Sequence, residues 1–146
     1  MRQWKAFLAL VLAIIVTPMA LAASPAGISG IWTTIDDKTG KKRAVIRIDI
    51  ADNKLSGTII NVFPLPGDVG FCAKCPGNFK GKPVKGLQII WGLKDKGNGE
   101  WDDGHILDPK TGKIYRAKMH LEGSNKLYVR GYIGVSVLGR TQVWIR

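Results

Sequence analysis

Beyond residue 29, apolar and polar residues alternate with a period of two along most of this chain, and short turn clusters interrupt the alternation. Successive side chains of a β-strand point to opposite faces, so this pattern predicts half-buried strands. In the clearest case Ala44, Ile46, Ile48 and Ile50 share one face, with Arg43, Arg47 and Asp49 on the other. Residues 30–34 form the run before it, across a turn at 36–40, and residues 55–62 follow the tight turn at Asp52-Asn53. Leu87, Ile89, Trp91 and Leu93 then fall on one face, and residues 101–107 follow Gly97-Asn98-Gly99. After a strong turn at 108–112, Tyr115, Ala117, Met119 and Leu121 oppose Arg116, Lys118 and His120. Leu127, Val129, Gly131 and Ile133 oppose Tyr128, Arg130 and Tyr132. The last run, 140–146, sets Thr141, Val143 and Ile145 against Arg140, Gln142 and Trp144.

Eight antiparallel strands joined mostly by short turns predict an all-β fold, an eight-stranded up-and-down barrel, with a flattened β-sandwich as the alternative. A barrel of eight strands has an interior that side chains nearly fill, or one that holds a single small ligand.

Two segments break the alternation. Arg2 and Lys5 precede an apolar run over residues 6–16, and Ala20-Leu21-Ala22-Ala23 supplies small residues for a signal peptidase. This predicts a signal peptide over residues 1–23 and a single barrel domain over 24–146, exported to the periplasm or secreted. The other segment, residues 63–85, holds Pro64, Pro66, Pro76 and Pro83 and cannot be a central strand. A loop of that length is functional or loosely ordered.

Cys72 and Cys75 lie in the middle of that loop. A CxxC pair serves as a disulfide, as half a metal site or as a redox couple. The redox role calls for a helix N-terminus, and a zinc site needs two further ligands, with only His105 and His120 available as histidines. Export favours the disulfide.

Charge narrows the partners. The chain has 22 basic and 11 acidic residues, a net charge of +11, of which Arg2 and Lys5 supply two units. The remaining +9 suits acidic envelope lipids or polysaccharide; export argues against nucleic acid. Dispersed lysines equally describe a solvated surface. The densest chemistry is Asp102, Asp103, His105 and Asp108, where carboxylates beside an imidazole could serve acid–base work, but acidic residues next to Gly104 and Pro109 are also ordinary turn formers. No nucleophile elbow, zinc-protease helix, P-loop or dinucleotide fingerprint is present, and no cofactor or metal is predicted.

Gly30-Ile31-Trp32, with Arg140 entering the last strand, resembles the opening GxW and closing arginine of the lipocalin-like, or calycin, barrels. The resemblance implies that Arg140 packs over Trp32 and closes the barrel. A second resemblance, to the bacterial domain of unknown function 2147, rests on residues 30–41, Cys72 and Cys75, 104–109, 112–115, 130–134 and 138–144. It implies a small exported protein and brings no established activity.

The expectation is therefore a non-catalytic envelope protein that binds a small apolar or amphiphilic ligand, with Trp91, Tyr115 and Met119 lining the site. The alternatives are a filled-barrel module that binds acidic envelope components, and an enzyme using Asp103, His105 and Asp108. Oligomeric state is not legible.

Overall fold

The computed structural model describes residues 27–146. Eight strands occur in chain order: β1 (Gly30–Ile35), β2 (Lys42–Ala51), β3 (Lys54–Val62), β4 (Gln88–Gly97), β5 (Glu100–Leu107), β6 (Ile114–Glu122), β7 (Lys126–Tyr132) and β8 (Gly139–Ile145). Each pairs antiparallel with its neighbour, and β8 pairs with β1, so the sheet closes into an up-and-down barrel. The flattened sandwich does not form.

The two ends differ because their connections differ. At one end the strands turn tightly. Asp52 and Asn53 both take the left-handed conformation that a two-residue hairpin requires, with φ of 51° and 59°. At the other end lie the connections 36–41, 63–87, 108–113 and 133–138.

The closed end is packed solid. Trp32, Ile48, Leu55, Leu93, Met119 and Leu127 are all essentially inaccessible. Gly104 faces this core, where a Cβ would lie 2.4 Å from Leu93 Cδ1 and 2.7 Å from the Leu93 backbone nitrogen, so only glycine lets β4 and β5 approach. Trp32 donates its indole N–H to the Ile28 carbonyl at 2.8 Å. The guanidinium carbon of Arg146 sits 4.2 Å from the Trp32 ring centroid. Arg146 also donates to the carbonyls of Gly27, Ser29 and Ser124, tying the segment before β1 and the end of β8 to the β6–β7 turn.

This corrects the expected partner of Trp32. β1 starts at the closed end, and β8 runs antiparallel to it, so β8 must finish there. The arginine that covers Trp32 is Arg146, at the finish. Arg140 begins β8 at the open end and pairs with Asp37 instead.

Candidate functional site

Above the packed half the barrel is open. A cavity of about 1230 Å³ runs from the barrel interior into the space between the loops. Ile106 and Tyr115 stand half-buried on its inner wall, and Ile46, Ile59, Val129 and Trp144 form its floor with almost no accessible surface of their own. Gly131 lines the cavity between Ile106 and Tyr115, which a Cβ there would meet at 3.5 and 3.4 Å.

The rim is built from loops held by specific contacts. Arg43 donates to the Asp68 carboxylate at 3.0 Å, and Asp68 also accepts the Leu65 N–H at 2.8 Å, which fixes the start of the long loop. The Arg43 hydrogen bond, more than any other influence, holds the Asp68 carboxyl below the usual carboxylate range. Across the mouth Arg140 donates Nε to Asp37 at 2.7 Å, and that bond lowers the Asp37 pKa and raises that of Arg140. Asp36 accepts the N–H groups of Lys38 and Thr39; its pKa is lowered, chiefly by the Thr39 N–H.

The long loop is ordered by its own bonds. Cys72 and Cys75 form a disulfide and are buried. The Cys72 N–H donates to Lys82, Gly81 donates back to Cys72, and Val84 donates to Gly70. A short 3-10 turn, Gly77–Phe79, presents Phe79 to Trp91. The cysteine segment also packs on the β5–β6 connection: a Cβ on Gly112 would lie 1.9 Å from the Lys74 carbonyl oxygen, in a backbone with φ of +74°.

The three residues expected to line a ligand site part company here. Tyr115 lines the cavity. Met119 faces inward but lies in the packed half, paired with Trp101 and Val129. Trp91 is on the outer face, stacked between Phe79 at 5.6 Å and His105 at 5.7 Å. The cause is an irregularity at Gly92, whose φ of +78° shifts the alternation, so that Ile90 and Leu93 are both fully buried and Trp91 between them turns out. Residues the alternation did not single out, Arg43, Asp37, Asp68 and Trp144, shape the site instead. Trp144 carried the available signal, since it shares its strand face with Arg140 and Gln142, which also border the cavity.

The acidic segment does not converge on a catalytic centre. Asp103 pairs with Lys96 at 2.6 Å on the outer surface, which lowers its pKa and raises that of Lys96. Asp102 accepts from the Tyr132 hydroxyl at 3.3 Å, His105 stacks on Trp91, and Asp108 accepts the Lys110 N–H within its turn. Burial, followed by the Asp102 charge, raises the Tyr132 pKa. His120 lies 2.7 Å from Glu100. Among the described residues no group of three or more histidine, cysteine or carboxylate side chains could hold a metal ion. Arg130 stands opposite Lys118 on the outer face of β6 and β7 and also secures the 133–138 loop.

A sequence profile of uncharacterized proteins conserved in bacteria, DUF2147, matches residues 30–146, the whole barrel. The chain belongs to the DUF2147 family. No curated protein matches it in sequence. Among solved structures this DUF2147 barrel is similar to protein HP1028 from Helicobacter pylori, described as belonging to the lipocalin family, at 17% identity and a TM-score of 0.71 over 83% of each chain. At that identity the likeness concerns the fold: this DUF2147 domain is a lipocalin-like, eight-stranded barrel.

Proposed function

We propose that this protein is an exported envelope protein that holds one small apolar or amphiphilic molecule in the open half of its barrel, without catalysis. The observation that carries this reading is the cavity itself: aliphatic and aromatic walls below, and a charged, loop-built mouth above. Ligand sites are concave and mostly apolar, with a few placed polar groups, and span roughly 300–1,000 Å³, so this cavity is ample for one small molecule. Arg43 and Arg140 are matched by Asp68 and Asp37, while Lys38, Lys74 and Lys110 border the mouth, which suits an anionic head group over an apolar tail. The apolar leader over residues 6–16, outside the described residues, supports a periplasmic or secreted location. The filled-barrel alternative fits only the closed half, and the scattering of Asp103, His105 and Asp108 speaks against the enzyme.

Tryptophan emission during titration with a fatty acid and with a lysophospholipid tests the reading. A saturable change with a dissociation constant well below millimolar, lost in Trp144→Phe, is the expected result. No saturable change with either, alongside a folded barrel, would sink it.

A further inference from the structure

We propose that the open end of the barrel docks against an anionic phospholipid bilayer. The inference rests on exposed side chains of the rim, independently of what the cavity holds.

Six large apolar side chains are more than half exposed: Val69, Phe71, Ile133, Val135, Val137 and Leu138, at 55–78%. All lie in the 63–87 and 133–138 connections at the open end, and four of them border the cavity mouth. The other exposed large apolar residues of the described chain reach 47% at most. Folded monomers seldom leave such side chains clustered in water unless the cluster binds something.

The 133–138 loop is held in this display. Arg130 donates Nε to the Ser136 carbonyl at 2.6 Å, Nη2 to the Val137 carbonyl at 3.2 Å and Nη1 to the Thr141 hydroxyl at 2.8 Å. The Leu138 N–H donates to Val135 at 3.0 Å. A backbone fixed this way cannot fold its side chains into the cavity without breaking those bonds.

Charge selects the partner. Around the mouth stand five cationic side chains, Lys38, Arg43, Lys74, Lys110 and Arg140, and four carboxylates. Asp37 and Asp68 are held by arginines, and Asp36 and Asp108 by backbone N–H groups. The three lysines make no ion pair among the described residues. Apolar tips beside free lysines combine the two attractions of an anionic membrane surface, acyl insertion and lipid phosphate. A second copy of the chain would set lysines against lysines. A fluid acyl layer takes up apolar side chains carried on two loops around an opening without needing a rigid complementary face.

The test is flotation of the exported protein, released by cells that express the full chain, with vesicles of phosphatidylglycerol and phosphatidylethanolamine or of phosphatidylcholine alone. Expected are binding to the anionic vesicles, weakening with added salt, and about a tenfold loss for the double variant Val137→Ser, Leu138→Ser, since each removes apolar area from contact. Ile50→Ser, at the closed end, should bind as the parent does. The replaced side chains are solvent-exposed, so circular dichroism should show each variant folded. Absent binding, or equal binding by the double variant, overturns the proposal. So does a dimer in light scattering that the double variant abolishes, because the rim would then belong to a second copy.

Discussion

Trp32 joins the segment that leads into β1 to the end of β8. Its ring is fully buried under the Arg146 guanidinium. Trp32→Ala should cost about 3–5 kcal/mol, the usual loss for a buried large aromatic, out of a total stability of roughly 5–15 kcal/mol. Arg146→Ala should lose about 1–2 kcal/mol through the uncovered ring and the three released carbonyls. A double-mutant cycle by urea denaturation should show Trp32 coupled to Arg146 and additive with Arg140, whose partner is Asp37 at the far end. Additivity with both arginines would mean the stacking contributes nothing. Gly104→Ala should destabilise by about 1–3 kcal/mol, because the new methyl meets Leu93 backbone as well as side chain. The Asp68 clasp sets a pH dependence. Its carboxyl titrates below the usual range in the folded protein, so its contribution is complete above the unfolded carboxylate pKa and disappears as pH falls through the lower folded value. Acidification should therefore increase proteolysis within residues 63–70, and Asp68→Asn should show that susceptibility at neutral pH. Resistance unchanged by either would exclude a role for the clasp.

At the level of the elements, the 63–87 connection behaves as a structured arm. The Cys72–Cys75 ring is too small to restrict the unfolded chain much, so its effect is local. Reduction should raise protease cutting between residues 70 and 85 while the β-sheet circular dichroism stays; loss of the sheet signal would show that the barrel depends on the bridge. Strand identity was plain in the sequence wherever side chains kept strict alternation, as in β2, β6 and β7. It misled in β4, because the shift at Gly92 reverses the faces, and nothing in Ile89-Ile90-Trp91-Gly92-Leu93 says on which side of the glycine the register changes. The length of the arm was legible from its prolines. Its order was not, since the anchoring contacts are Arg43 to Asp68 and Phe79 to Trp91, both between residues distant in sequence.

For the whole molecule, turn placement and an even strand count were enough to reach the barrel, because hairpin connections leave few other ways to pair eight strands. The division into a filled and an open half was not legible: inward-facing residues look alike whether they meet one another or a void, and only the assembled barrel separates buried Met119 from cavity-lining Tyr115. That division also bears on time. The packed half, sealed by Trp32 and Arg146, bars passage, so under the proposed function a molecule held in the cavity would leave by the mouth through which it came. With a common gate, arrival and departure cross the same barrier. Fastening the arm to the rim, for example by a crosslink near the Arg43–Asp68 contact, should slow both rates by the same factor and leave the equilibrium constant where it was, as long as the fastening touches neither the occupied nor the empty state's energy.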